Sequence, residues 1–255
     1  MDSTAWFRYF DDNQARADAS PPGGVTLQVA PELRAALIRS LQRFHLGEAG
    51  EGRVAHEAAI SDDPALDPET KAAIRLYVRE EGRHAREVAA TLRALGARTL
   101  GRHWSEAAFR RGRRLLGLRT KMMTIGAAEV VGIVFYGLLR DHAPCAEIRR
   151  LGAALAEDEQ RHLEFQADWF ARVIARTPLP WRIPYTALLG GELALLLGAA
   201  TGVFAVDHAP LFRALGLRSA EVLTACLRVA GEALTRVVDA GVVGSPRWSM
   251  GAVLE

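Results

Sequence analysis

Cysteine is scarce in this sequence, since only Cys145 and Cys226 occur among its 255 residues. Two cysteines are too few for a disulfide framework or a four-cysteine metal site, so the composition favours a reducing compartment. The first residues also lack the positively charged patch and the following apolar run that mark a secretory signal. We therefore expect a cytoplasmic protein.

An excess of charge of one sign is also absent. The chain has 32 basic and 30 acidic residues, which gives a formal net charge of +2. So weak a net field does not indicate nucleic acid as a partner, and we expect none. Because 49% of the residues are hydrophobic, the chain can bury a sizeable core. Function should then depend on local clusters of side chains.

One long apolar stretch, residues 186–206, requires an explanation because about twenty apolar residues can cross a bilayer. Glu192 interrupts this stretch, and several glycines surround it. A carboxylate in its middle favours a buried or dimer-forming helix over a membrane span. The sequence therefore predicts no membrane span, and we expect a homodimer.

Hydrophobic periodicity predicts an all-α fold with three regions. Residues 1–30 include two prolines followed by two glycines and show no sustained periodicity, which predicts an irregular N-terminal arm. Residues 31–177 repeat apolar side chains at intervals of three and four, which predicts a four-helix bundle. The connection at residues 96–118 is long enough to be a crossover between its second and third helices. Residues 178–255 predict a C-terminal helical extension that packs on the bundle or forms a dimer contact.

Two Glu-x-x-His motifs place polar side chains where a helix stripe should be apolar. Glu81 and His84 lie on the stripe of the second predicted helix, and Glu159 and His162 lie on that of the fourth. Residues three apart on a helix differ by about 60° and by about one turn, so both side chains of a motif can bind one metal ion. One such motif arises easily by chance, whereas two on inward stripes indicate a metal site.

The first and third predicted helices each carry a glutamate on the inward stripe. On the third helix this is Glu129, and on the first it is Glu48 or Glu51. Ligands on antiparallel neighbours must lie at similar heights above the connecting loop, at about 1.5 Å per residue. This comparison favours Glu48, while Glu51, one turn away, is an alternative ligand, a second ligand or a proton-carrying neighbour.

Two helices with a lone glutamate and two with Glu-x-x-His form the ligand pattern of two-metal carboxylate sites in helical bundles. Carboxylate oxygens and imidazoles suit Fe or Mn, and bridging carboxylates neutralise two cations in a dry core. An acid precedes each motif, and such acids can accept the free N–H of a metal-binding histidine. We therefore expect Asp158 to contact His84, and Glu80 to contact His162.

Tyr136 lies seven residues after Glu129 on the same helix face. Its phenol could approach the metals as a redox partner or a hydrogen-bond donor, although simple core packing is the favoured alternative. We retain Tyr136 as a candidate residue around the metal ligands.

Four segments resemble those of the ferritin-like di-iron superfamily: Gly47-Glu48-Ala49-Gly50-Glu51-Gly52, Glu80-Glu81-x-x-His84, Ala128-Glu129 and Asp158-Glu159-x-x-His162. The resemblance covers residues 32–175. Paired Glu-x-x-His motifs are more similar to rubrerythrin, bacterioferritin and the di-iron oxygenases than to ferritins whose fourth helix lacks the histidine.

This resemblance implies a non-haem di-iron, or Fe/Mn, oxidoreductase that activates O₂ or peroxide and acts on an unknown small-molecule substrate. Because no cysteine pairs indicate a built-in rubredoxin-like module, electrons should come from a separate donor or from the substrate. The alternatives are a non-catalytic ferritin-like protein that handles iron, and a scaffold that binds no metal.

Overall fold

The computed structural model describes residues 1–16, 18–21, 23–48, 52–101 and 117–243. Throughout these residues the regular secondary structure is helical, which confirms the all-α prediction. The helices are, in chain order, α1 (Ser3–Asn13), α2 (Pro31–Glu48), α3 (Gly52–Ile60), α4 (Pro68–Ala94), α5 (Leu118–His142), α6 (Ala146–Ala175), α7 (Leu179–Asp207), α8 (Ala209–Ala214) and α9 (Ser219–Val243).

The core of the bundle lies among α2, α4, α5 and α6, and α5 and α6 form its most extensive helix pair. Gly152 of α6 explains how closely this pair approaches. A Cβ atom at that position would lie 2.6 Å from the backbone oxygen of Tyr136 and 2.6 Å from the backbone nitrogen of Arg140. Helix α5 is apolar on almost every side, as expected for a helix enclosed by its neighbours.

Helix α4 begins and ends at clear local signals. Asp67 is its N-cap and accepts a hydrogen bond from the backbone N–H of Thr70, and Pro68 occupies the first turn, as the sequence predicts. At the other end Gly96 adopts φ +71°, a left-handed conformation that suits glycine after a helix. These signals fix the position of α4 along its own axis.

The N-terminal region differs from the predicted irregular arm, because α1 is a helix that packs against α4. The side chain of Asp2 caps it by accepting a hydrogen bond from the N–H of Ala5. Trp6 and Phe10, one turn apart, are almost completely buried. With only two buried side chains in eleven residues, the helical periodicity is too short to detect in the sequence.

Helix α2 ends at Glu48 and α3 begins at Gly52, and the residues between them, among them the candidate ligand Glu51, lie outside the described part. The predicted crossover falls largely on residues 102–116, which are outside the described part as well.

The C-terminal region forms a helical pair, α7 and α9, joined through the short α8. Helix α7 packs on α9 and α5, and Pro184 lies inside it, in its second turn. Among the described residues, two helices are long and apolar enough to cross a membrane. The most apolar window is 89% buried in α5 and 33% buried in α7.

Candidate metal centre

Four buried side chains converge between α4 and α6. Glu81 and His84 project from α4, and Glu159 and His162 project from α6. Each residue offers one oxygen or nitrogen atom, and these four atoms all lie within 4.8 Å of one another. The Glu-x-x-His spacing places both side chains of each motif on the same face, and the two faces point at each other. The group could therefore hold metal ions.

Glutamates from α2 and α5 approach the same group from two sides. Glu48 Oε2 lies 3.8 Å from His84 Nδ1, and Glu129 Oε1 lies 3.9 Å from His162 Nδ1. Glu159 lies between the two histidines, with one carboxylate oxygen 3.4 Å from each Nδ1 atom. The structure thus brings together Glu48, Glu129 and both predicted motifs.

Each histidine contacts an acid from the opposite motif helix. His84 Nε2 lies 3.2 Å from Asp158 Oδ2, and His162 Nε2 lies 3.0 Å from Glu80 Oε2. The structure therefore contains both contacts expected from the sequence. A neutral imidazole that donates its proton from Nε2 keeps a lone pair on Nδ1, which is the atom that faces the centre.

A tyrosine holds each lone glutamate in a matching arrangement. The Tyr136 hydroxyl donates to Glu48 Oε1 at 2.6 Å, and the Tyr77 hydroxyl donates to Glu129 Oε1. Gln166 Nε2 donates to the same Glu129 oxygen at 3.2 Å. Tyr136 thus reaches the glutamate of α2 rather than Glu129 of its own helix. The centre consists of two similar halves, each with a histidine, its acid, a glutamate and a tyrosine.

Glycines of α5 leave room for these polar side chains. A Cβ atom on Gly132 would lie 3.3 Å from Cγ of Glu159, and one on Gly126 would lie 2.6 Å from Oε1 of Gln166. A larger residue at either position would displace a side chain of the centre. The lack of side chains on this face of α5 therefore helps to determine where Glu159 and Gln166 lie.

Arginines and an asparagine surround the two acids behind the histidines. Arg83 donates to Glu80 and, at 2.9 Å, to Asp158, so one buried guanidinium joins both acids. From the N-terminal region, Asn13 donates to Glu80 and Arg16 donates to Asp158. Helix α1 and the residues after it therefore close the centre on the side of α4 and α6.

Burial and mutual repulsion shift the pKa values of the central groups. Burial raises the pKa of Glu81 and Glu129 well above the usual value, and the nearby Glu159 carboxylate adds to both shifts. Burial acts on Glu159 in the same direction, but the close approach of Glu129 and of the two histidines outweighs it and lowers the pKa of Glu159. Burial alone would lower the pKa of His84 and His162, but the surrounding acids raise both well above the usual value. Without cations, this cluster retains protons.

The atoms that face the centre lack well-aligned hydrogen bonds. Glu81 Oε1, Glu159 Oε2, His84 Nδ1 and His162 Nδ1 are buried and make no hydrogen bond of good geometry, although His162 Nδ1 lies 2.7 Å from Glu81 Oε1. A buried polar atom without such a bond costs on the order of 1–3 kcal/mol, so four of them in one place are unfavourable unless something binds them. Oxygen and imidazole nitrogen atoms with free lone pairs suit divalent iron or manganese.

Some residues of the centre had only weak signals in the sequence. Arg83 lies inside the first motif, three residues after Glu80, which is the spacing of an intrahelical ion pair. Tyr77 lies four residues before Glu81, so the sequence predicts that it faces inward. The sequence does not predict that Tyr77 contacts Glu129. Nothing near Asn13 or Arg16 in the sequence indicates that these residues reach the centre.

The comparisons with known proteins identify no relatives. No protein-family model, curated protein or solved structure matches this chain, so the functional argument rests on the site itself.

Proposed function

We propose that this protein is a ferritin-like bundle that binds two divalent metal ions, iron or iron with manganese, and acts as an oxidoreductase on O₂ or peroxide. The observation that carries the proposal is the convergence of four buried side chains from two Glu-x-x-His motifs, which offer four ligand atoms within 4.8 Å of one another. The proposed ligands are Glu48, Glu81, His84, Glu129, Glu159 and His162. Glu51 is not part of this set because it lies outside the described residues.

Charge balance supports two ions rather than one. The six proposed ligands comprise four carboxylates and two imidazoles that are neutral when they bind metal. Four negative charges match two divalent cations, whereas a single cation would leave two buried charges uncompensated. Glu159, which faces both histidines, is the best candidate for a bridging carboxylate.

The surrounding residues would orient these ligands. Asp158 and Glu80 accept the Nε2 protons and so hold each Nδ1 lone pair toward the centre. Tyr136 fixes Oε1 of Glu48, so Oε2 is the oxygen that faces His84, and Tyr77 fixes Oε1 of Glu129.

The bound ions would supply the redox chemistry that amino-acid side chains lack. The protein would contribute binding, orientation and exclusion of water. Phe10 of α1 lies against the imidazole of His162, with ring centroids 6.0 Å apart, and helps to exclude water on that side. Electrons would come from a separate donor or from a small-molecule substrate, and we place the protein in the cytoplasm.

The metal test uses anaerobic titration of the metal-free protein with Fe(II), followed by elemental analysis after desalting. We expect two ions per chain for the wild type and at least a ~100-fold loss of affinity for Glu159→Gln, since loss of a bridging ligand should exceed the effect of outer residues. Glu164→Gln, a matched change on the same helix outside the centre, should retain both ions. A wild-type protein that retains no metal would refute the proposal.

The catalytic test measures O₂ consumption by the iron-loaded protein with a chemical reductant. Continued consumption beyond the amount needed to oxidise the bound iron supports an oxidoreductase. Consumption that stops at that amount, with accumulation of ferric mineral when more Fe(II) is added, would instead establish iron handling.

A further inference from the structure

The outward face of α4 exposes only one kind of side chain. Between Thr70 and Ala94 every exposed residue is an arginine, whereas the acids in that range are all buried. At about 100° per residue the exposed arginines lie within about 40° of one another, and they extend over about 27 Å of the helix. We call this set the arginine stripe, and its members are Arg75, Arg79, Arg86 and Arg93.

The positive charge of the arginine stripe is not neutralised by the part of the chain that the structure describes. No acid there forms an ion pair with the stripe. Where two of its side chains contact the protein the partner is neutral, since Arg79 donates to the side chain of Gln14 and Arg86 donates to the backbone oxygen of Gly82. Like charges four residues apart on a helix, such as Arg75 and Arg79, also repel each other. The stripe therefore remains available to an anionic partner.

The outward face of α6, the other motif helix, carries both signs of charge. Its exposed Arg161 pairs with Glu164 at 2.9 Å, and its exposed Glu157 pairs with Arg16 at 2.9 Å. These charges neutralise each other within the chain. Of the two motif helices, α4 is therefore the one that presents a positive face.

The arginine stripe lies on the opposite side of α4 from the proposed ligands. Glu81 and His84 point into the centre. Gly82 lies in line with the stripe, between Arg79 and Arg86, and has no side chain to cover the helix there. A partner on the stripe would be separated from the centre by about 10 Å, the width of one helix. Electrons tunnel readily between redox centres in proteins over such a distance.

We propose that the arginine stripe binds a small acidic redox protein that delivers electrons to the centre. The inference rests on the proposed function, because only a redox centre needs such a donor. Carboxylates on the partner complement the arginines, and complementary charge speeds the association of two proteins. Each encounter would transfer one electron, which oxidises the donor and reduces one Fe(III) to Fe(II). Two encounters would therefore reduce both ions.

The residues beside the arginine stripe favour a redox protein over two other anionic partners. Half-buried neighbours on α4 include Ala72, Val78, Ala89 and Ala90. They offer no aromatic ring on which a nucleic-acid base could stack, and no large side chain that could enter a lipid surface. Arginines on the helix that holds two proposed ligands suit a charged partner that binds close to the centre.

The first measurement is binding of the metal-free protein to plant-type ferredoxin and to flavodoxin, two small acidic redox proteins, by calorimetry at low ionic strength. We expect the double variant Arg79→Glu/Arg86→Glu to bind at least ~10-fold more weakly than the wild type, because it reverses the charge in the middle of the stripe. The matched control is Arg213→Glu/Arg228→Glu. It changes the net charge equally at exposed arginines of α8 and α9, and should bind as the wild type does.

The second measurement is stopped-flow reduction of the Fe(III)-loaded protein by the reduced form of the same partner. We expect the second-order rate constant to fall at least ~10-fold in Arg79→Glu/Arg86→Glu but not in the control. The difference should disappear at about 0.5 M salt, which screens surface charges. All variants should retain two iron ions by elemental analysis, which shows that the centre is intact.

The two measurements distinguish failure of this inference from failure of the proposed function. A wild-type protein that holds no iron would refute the proposed function, and binding by the metal-free protein would still test the stripe. A wild type that binds neither redox protein would overturn the inference, as would equal binding or equal rate constants in the two double variants. Wild-type protein that binds a short DNA duplex instead, with binding lost in Arg79→Glu/Arg86→Glu, would overturn it in favour of a nucleic acid.

Discussion

The centre between α4 and α6 and the exposed side of helix α7 are opposite exceptions to the usual placement of residues. The centre buries polar side chains, whereas α7 exposes apolar ones. In the centre, acids and histidines occupy positions that are at most 9% exposed. On α7, Leu188, Leu195 and Val206 are between 66% and 78% exposed, and a Cβ atom at Gly198 or Gly202 would meet no atom within 4 Å. Both arrangements are unfavourable for a chain alone in water.

The difference between the two regions indicates different partners. Buried donor atoms with free lone pairs require a compact, positively charged partner, which the metal proposal supplies. Exposed leucine and valine side chains, by contrast, are covered best by a broad apolar surface. Three predictions test or refine this contrast, beginning with the largest effect.

Removal of metal by a chelator should produce the largest change. At a metal concentration about 1,000 times the Kd, binding contributes about 4 kcal/mol to the free energy of unfolding. For a protein of this size the loss corresponds to a fall in Tm of about 10 °C. Thermal unfolding with and without chelator measures this fall in Tm. The control variant Leu195→Glu should show the same fall, because α7 contributes none of the proposed ligands. An unchanged Tm in the wild type would contradict stabilisation by metal.

The fall in Tm on removal of metal should be larger at about pH 8 than at about pH 6. The pKa values of His84 and His162 are raised in the folded protein, so their protonated forms stabilise it below the unfolded value of about 6.5. That contribution is lost as pH rises through the folded values. The raised pKa values of Glu81 and Glu129 act in the same direction, whereas the lowered pKa of Glu159 affects stability only at acidic pH.

The second largest effect should come from Arg83→Met. This change leaves the buried carboxylates of Glu80 and Asp158 without their shared guanidinium. Removal of one member of a buried ion pair costs about 3 kcal/mol. Urea unfolding of the metal-free protein measures the loss. Arg79→Met, on the exposed side of the same helix, should change the free energy of unfolding by less than about 0.5 kcal/mol, and equal effects of the two changes would contradict the prediction.

The smallest effect should be a gain in the free energy of unfolding of the metal-free protein. Glu81→Met replaces a fully buried carboxyl, whose pKa burial raises, with an apolar side chain of similar size. The metal-free protein should therefore become more stable by about 1–2 kcal/mol, despite the loss of the 2.7 Å contact with His162 Nδ1. The same variant should lose its stabilisation by Fe(II). Urea unfolding with and without Fe(II) measures both results. A less stable metal-free variant would show that the carboxyl of Glu81 supports the fold without a cation.

Sequence periodicity predicted much of the centre, because residues three apart on a helix share a face wherever the helix lies. The pairs Glu81 with His84 and Glu159 with His162 follow from that local geometry alone. The contacts of Asp158 and Glu80 with the opposite histidines were also predictable, once the two motifs were assumed to face each other. Their roles as metal ligands and supporting acids remain predictions.

Residues from distant parts of the chain were not predictable in the same way. Helix α1 was missed because its two buried aromatic side chains give too little periodicity, so the contacts of Asn13 and Arg16 had no signal. Tyr136 donates to Glu48, and Tyr77 donates to Glu129. Which tyrosine reaches which glutamate depends on how whole helices pack against each other.

The sequence by itself determined the all-α fold, the inward stripes and the two motifs, since these depend on the regular geometry of a helix. Only the tertiary structure decided which helices meet, which ligand atoms converge and which face of α7 remains exposed. The physical reason is that helix periodicity is a local property, whereas burial depends on packing between residues that are far apart in the chain.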